Sequence, residues 1–197
     1  MARAMYNFHL TMSYHFRAEQ WIPVPLQKVF RFFADPGNLP RLMPPWMGVE
    51  LLRVKVVPPP GIEPVIETVT DRTPFAGAGS ELVASYRAVP LLPFRITSVA
   101  LITEFVMNEH FADIQKEGPF RKWHHRHQFA VEARDGVNGT LMQDIVEYEV
   151  GFGLLGALAQ KLFVGPQMRR TFAHRQKRLE KLLAFVTAVP TQPSIHP

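Results

Sequence analysis

Between Glu81 and Val150 the sequence is a series of extended-looking runs divided by short turn signals, and from Gly153 the hydrophobic period changes. ELVASYRAV and RITSVALITEFVM are separated by a loop carrying Pro90 and Pro93; HFADIQKE and FRKWHHRHQFAVEA meet across Gly118-Pro119; TLMQDIVEYEV follows the turn-rich DGVNG. Strands in series with hairpin-like connections form an antiparallel sheet. Beyond them LLGALAQKLFV puts Leu154, Leu155, Leu158 and Leu162 on one side of a helix. QMRRTFAHRQKRLEKLLAFV continues the pattern with Met168, Phe172, Leu179, Leu182 and Leu183. Gly165-Pro166 between the two marks a break or kink. A long amphipathic helix is therefore available to cover one face of the sheet.

Upstream, Tyr14 to Val24 alternates around Phe16, Trp21 and Ile22 and reads as a first strand. Pro25 suits a first helical position, and Leu26, Val29, Phe30 and Phe33 keep helical spacing up to Asp35-Pro36-Gly37. A second short helix spans Pro36 to Met43, and Met47 to Val57 reads as a strand stopped by prolines. Residues 58–78 do not sort: VIETVT looks extended, but prolines and glycines flank it closely. The order is strand, two short helices, five or six strands and a long helix, an α+β arrangement. A sheet curved around that helix leaves space for a ligand. Residues 1–13 read as a flexible extension, 14–188 as one ligand-binding domain and 189–197 as a loose tail.

The polar residues sort by strand alternation. Trp123, His125, His127 and Phe129 share one face of their strand, and Lys122, His124, Arg126 and Gln128 the other. On the last strand Thr140, Met142, Asp144, Val146 and Tyr148 lie opposite Glu147 and Glu149, which belong outside. In a hairpin, a register pairing Phe129 with Met142 also pairs His127 with Asp144 and Trp123 with Tyr148, about 4.5–5.5 Å apart. A slip of two residues would keep the faces and change the partners. Asp113 and Gln115 follow Phe111 inward on the preceding strand.

The inner wall then holds Asp113, Gln115, His125, His127, Asp144 and Tyr148 among aromatic and aliphatic groups. Buried polar groups need partners, so they form a structural network or orient a ligand's carbonyl, hydroxyl or carboxylate. Leu158, Leu162, Met168 and Phe172 are the helix's candidate lining residues. The competing reading is acid–base catalysis without a cofactor: His127, polarised by Asp144, exchanges a proton while Tyr148 or His125 stabilises an enolate-like oxygen. His125, His127 and Asp144 could also imitate a two-histidine, one-carboxylate metal site. Histidines set among packing aromatics do not demand a metal, and none is expected.

Composition narrows the classes. At 197 residues, with 47% apolar and 20% charged, the chain is globular in character. It has no cysteine, which excludes disulfides, thiolate zinc sites and a cysteine nucleophile. A cytoplasmic location fits that absence and an N-terminus without a secretory apolar stretch. No apolar run approaches the ~18 residues of a membrane span. A net charge of +5 invites nucleic acid or anionic membrane. Arg169, Arg170, Arg175, Lys177, Arg178 and Lys181 are, however, interspersed with apolar residues at helical spacing and read as the helix's solvated side. That argues against nucleic acid and leaves peripheral membrane contact open; a monomer or homodimer is expected.

Four segments, VPLQKVFRFFADPGNLPRLMPPW, FADIQKEGPFRKWHHRHQF, GTLMQDIVEYEVGFGLLG and RRTFAHRQKRL, resemble the SRPBCC superfamily, the START and birch-pollen-allergen-like helix-grip proteins. More narrowly the chain resembles the bacterial ligand-binding or polyketide cyclase/dehydrase-like branch. The segments occur in the family's order and span roughly Trp21 to Leu183. The resemblance implies a seven-stranded antiparallel sheet gripping the C-terminal helix around an apolar cavity. It carries over Trp123, His125, His127 and Phe129, with Thr140, Asp144 and Tyr148 from the last strand. Family members bind lipids, sterols, polyketides and other hydrophobic molecules, and some catalyse cyclisation or dehydration. The expected function is binding of a small hydrophobic or amphipathic molecule, with a cyclase or dehydratase as the alternative.

Overall fold

The computed structural model describes residues 12–61, 75–89 and 93–188, with side chains as far as residue 183. VIETVT and the parts of the N-terminal extension and C-terminal tail at 1–11 and 189–197 lie outside the described residues. Strand β1 (Ser13–Ile22) leads into helix α1 (Leu26–Ala34), a 3-10 turn at Pro36–Asn38 and the short helix α2 (Leu39–Leu42). Then follow β2 (Glu50–Lys55), β3 (Glu81–Tyr86), β4 (Ile96–Val106), β5 (His110–Glu117), β6 (Lys122–Arg134) and β7 (Val137–Glu149). The chain ends on α3 (Gly153–Ala159), a π-helical turn (Gln160–Val164) and α4 (Gly165–Ala188).

All seven strands form one antiparallel sheet in the order β1-β7-β6-β5-β4-β3-β2. Register shifts between Val99 and Ala100 and between Ile102 and Glu104 break the β4–β5 ladder. Such bulges bend a strand and increase its twist. This is the helix-grip architecture expected from the sequence, with several local differences. Pro25 is the N-cap of α1 rather than its first residue, with ψ near 140°. The strand expected from Met47 starts only at Glu50, because Pro45–Met47 winds into a 3-10 turn that ends on Gly48 at φ 51°. The turn before β7 is only two residues, Asp135 and Gly136, at φ 51° and 77°, so Val137–Gly139 belongs to the strand. Two positive φ angles in succession suit a tight hairpin.

The break expected at Gly165-Pro166 is absent; α3, the π turn and α4 run on without interruption. Pro166 has no amide hydrogen to donate, and the turn just before it widens, Gly165 N–H bonding to the carbonyl of Gln160. A π turn is a common way for a helix to absorb such a fault.

The core is divided. One cluster gathers Ile22, Val29, Phe30, Phe111, Phe129, Met142, Leu179 and Leu183 under α1 and the far half of α4. The other gathers Val146, Tyr148, Met168 and Phe172 at the near half of α4. Phe30 sits at the centre of the first, with ring centroids 5.4 Å from Phe105, 6.0 Å from Phe111 and 5.2 Å from Phe129, all edge-on. Such pairs favour edge-to-face geometry because of the ring quadrupole. Gly139 allows β7 to close against β1: a Cβ there would lie 2.5 Å from the Ile22 carbonyl and 2.7 Å from the Trp21 ring.

Leu179, 1% exposed, and Leu155, 75% exposed, lie on the same helical run and should respond differently to truncation. Leu179→Ala is expected to cost about 2–5 kcal/mol in denaturant unfolding. Leu155→Ala should change stability by no more than about 0.5 kcal/mol.

Candidate functional site

Hairpin β6–β7 builds the polar centre. Its register pairs Phe129 with Met142, His127 with Asp144 and Trp123 with Tyr148, as the alternation predicts. Asp113 of β5 lies opposite His125. His125, His127 and Asp144 are 5%, 6% and 7% exposed, whereas His124 and Arg126 face the other way, toward Glu104.

Arg175 enters this centre from α4. Its guanidinium lies 3.7 Å from Asp144 Oδ1 and 4.6 Å above the Phe172 ring. With 11% of its side chain exposed, Arg175 is inside and not on the solvated face to which residue type assigns it. The reason is its spacing: Met168, Phe172, Arg175, Leu179 and Leu182 keep one helical stripe. That stripe is readable in the sequence; the single cation within it is the residue that pattern-reading misses.

Asp144 gathers the other contacts. Burial alone would raise its pKa, but the charges of Arg175 and His127 and the hydrogen bond from His125 outweigh burial and hold the carboxyl well below its ordinary range. An ionised carboxylate can only accept. His125 Nε2, 2.9 Å from Oδ1, is therefore the donor. That leaves His125 Nδ1 as an acceptor, 3.7 Å from Asp113 Oδ1. His127 Nδ1 approaches the same Asp144 oxygen to 2.8 Å. The approach is off the line a hydrogen bond requires, so this buried nitrogen has no hydrogen-bond partner, and neither has Arg175 Nε.

Both histidines are neutral. Burial depresses their pKa values below the ordinary 6.5, and the nearby carboxylates only partly offset it. Asp113 moves up instead, again chiefly by burial. The two imidazoles also pack as aromatic rings, 4.1 Å apart, with Phe111 4.5 Å from His127 and Phe172 5.7 Å from His125. Asp113, His125 and His127 offer ligand atoms within 4.8 Å of one another. With Arg175 beside Asp144, this centre already holds a cation, and one nitrogen of His125 is committed to the carboxylate.

A cleft opens beside the ion pair, lined by Gln20, Phe33, Met142, Asp144, Arg175, Gln176 and Leu179. Its volume is ≈ 10 Å³, room for about one water molecule and far below the ~300–1,000 Å³ of typical ligand pockets. Of the residues expected to line a cavity, Met142 and Asp144 do so. Phe129, Met168, Phe172 and Tyr148 are core. Trp123 packs on Phe120, 4.9 Å between centroids. Gln115 donates from Nε2 to the Phe120 carbonyl at 2.7 Å and fastens the Gly118-Pro119 turn. Tyr148 accepts from Gln160 Nε2 at 2.7 Å. It stands four residues from Asp144, about 13 Å along the strand. Leu158 and Leu162 are 53% and 56% exposed and are not among the residues that line this cleft. Period alone finds a stripe without saying which side meets the sheet. Here buried Gly156 and the bond from Gln160 to Tyr148 place the other side inward.

The family described as polyketide cyclase / dehydrase and lipid transport matches residues 22–177. The chain belongs to this family. A comparison with curated proteins finds no match. Among solved structures, norcoclaurine synthase from Thalictrum flavum is similar at a TM-score of 0.58 and 13% identity, covering 93% of this chain and 94% of that one. TTHA0849 from Thermus thermophilus is similar at 0.56 and 19%, covering 89% and 100%. Ginseng major latex-like protein 151 from Panax ginseng gives 0.56 and 9%, covering 86% and 97%. At these identities the likeness is one of fold. This polyketide cyclase / dehydrase and lipid transport family member thus has a ligand-binding fold, here with a buried Asp144–Arg175 pair beside a small cleft.

Two outcomes are expected. Asp144→Ala strands a buried guanidinium and should cost about 3–5 kcal/mol, whereas the double variant Asp144→Leu/Arg175→Met should regain most of it. The second concerns pH. The folded pKa values of His125 and His127 lie below the unfolded value of 6.5, so their contribution is complete above that value. It is lost as pH falls through it, because the unfolded chain takes up protons the folded one refuses. Asp113, raised, opposes this at lower pH: its contribution is present below 3.8 and lost as pH rises through its folded pKa. The melting temperature should drop between about pH 7.5 and about pH 5.5, and less steeply in His127→Gln.

Proposed function

We propose that this protein binds a small amphipathic molecule at the cleft between β7 and α4, whose lining side chains move apart to admit it. Phe33, Met142 and Leu179 would bury its apolar part, at about 25 cal/mol per Å² removed from water. Arg175 would read its polar head, a carbonyl, hydroxyl or carboxylate. The observation that carries this reading is Arg175 itself: a cleft-lining, nearly buried guanidinium whose Nε has no hydrogen-bond partner. Its partial neutralisation by Asp144 favours a polar or singly charged head over a multiply charged one. The cysteine-free composition supports a cytoplasmic setting for this binding.

The acid–base reading also has an observation in its favour, the unpartnered Nδ1 of His127 beside Asp144. Against it, the histidines are packed among aromatic rings and only Asp144 of the group lines the cleft. Binding is therefore the better supported function.

Anilinonaphthalene sulfonate, an apolar ring system with one anionic head, is a direct probe. Arg175→Met should weaken its binding at least about tenfold, the loss of one hydrogen bond to a charged group. Gln176→Trp, which obstructs the cleft and leaves the ion pair intact, should abolish binding without lowering the melting temperature. Unchanged probe affinity in Gln176→Trp would rule out this cleft. Native mass spectrometry of the purified chain should then reveal any retained ligand as an added mass. Unchanged turnover of such a molecule by His127→Ala and Asp144→Ala would exclude the acid–base mechanism.

A further inference from the structure

Between the sheet and the long helix, residues 152–163 invert the usual arrangement of a surface helix. The large apolar side chains point outward: exposure runs from 53% at Leu158 to 86% at Phe152, with Leu154, Leu155, Leu162 and Phe163 between. The side against the protein is built from small and polar residues instead. Gly156 is buried with its Cα so close to Gly151 that a Cβ would fall 1.7 Å from the carbonyl oxygen. Gln160, the next residue on that side, bonds to Tyr148. A helix that packs on its protein through glycine and glutamine while presenting leucine and phenylalanine to the outside has that outer face for contact. Contiguous exposed apolar surface of this kind marks an interaction site.

Charge selects the partner. From Gly151 to Leu179 there is no Asp or Glu. Lys161, Arg169 and Arg170 are exposed beside the apolar stripe and have no ion-pair partner among the described residues. A two-fold contact between copies would set these cations against themselves with no acid in the segment to answer them. An anionic bilayer matches both halves of the pattern, taking leucine and phenylalanine into the acyl boundary and the cations at the headgroups. The helix would lie in the membrane plane: its apolar stretch, residues 152–163, spans about 18 Å, short of the ~30 Å hydrocarbon core, and the helix continues into the basic run from Arg169. No helix among the described residues is long and apolar enough to cross a membrane.

We infer that residues 152–163 form a peripheral docking surface for an anionic lipid bilayer. This docking does not depend on the cleft or its ligand. Co-sedimentation of the full chain with vesicles of phosphatidylcholine alone and with added phosphatidylglycerol tests it. Binding should be strong only to the anionic vesicles and should fall with added salt. Leu155→Glu/Leu158→Glu should lower the partition coefficient at least about tenfold, and Lys161→Glu/Arg170→Glu should reduce it comparably. All four positions are exposed, so the melting temperature should hold. Equal or absent binding to both vesicle types would overturn the inference. So would leucine variants that bind like the parent, or a concentration-dependent dimer that those variants abolish while vesicle binding is absent.

Discussion

The structure turns on an ion pair in the middle of its own hydrophobic core. Asp144 sits between Met142 and Val146 on β7, and Arg175 between Phe172 and Leu179 on α4, so the pair lies where the sheet and its helix face one another. The apolar core is consequently two clusters with a polar layer between them. Desolvating two charges is expensive and is offset only when geometry and further hydrogen bonds are good. Here the offset is incomplete: one nitrogen of Arg175 and one of His127 have no hydrogen-bond partner. Removing either member of the pair leaves the other charged and buried, so each residue requires the other.

The same layer explains why the histidines read as structure before they read as chemistry. His125 spends one nitrogen on Asp144, and His127 contacts the same oxygen at poor geometry. Their rings pack on Phe111 and Phe172 as aromatic surfaces do. Neutral imidazoles at a carboxylate held ionised by arginine cost the least charge that this depth allows. What reaches the cleft is the edge of that layer, Asp144 and Arg175, with apolar walls to either side. Among the described residues, the space this layer leaves beside the ion pair is small and polar at one end. A likeness of fold to structures as different in kind as norcoclaurine synthase and a latex-like protein leaves the ligand to be decided by these side chains.

Local pattern makes much of this legible. Alternation along two strands separates His125 and His127 from His124 and Arg126, and pairing Phe129 with Met142 is enough to bring His127 opposite Asp144. The serial antiparallel strands and the long helix follow from turn signals and the change of period at Gly153, whereas the pairing of β1 with β7 does not. Residue type points Arg175 outward, because a cation is usually solvated, although its place on the Met168–Leu182 stripe argues otherwise. Residue type likewise points Leu158 and Leu162 inward, because leucine is usually buried. In both cases position overrules type, and the causes of the actual orientation lie far along the chain or in the need for a close approach. They are Asp144 in one case and Gly156 with Tyr148 in the other.

Most elements, the antiparallel succession of β3 to β7 and the strand residues that share a face are therefore local properties, because they depend on periods of 2 and 3.6 and on turn residues within a short window. The side of the final helix that meets the sheet, the π turn that keeps that helix continuous through Gly165-Pro166 and the pairing of β1 with β7 lie beyond any such window. Those depend on shape complementarity and on burying a charge against its partner across 31 residues of chain, from Asp144 to Arg175, and no local window contains both.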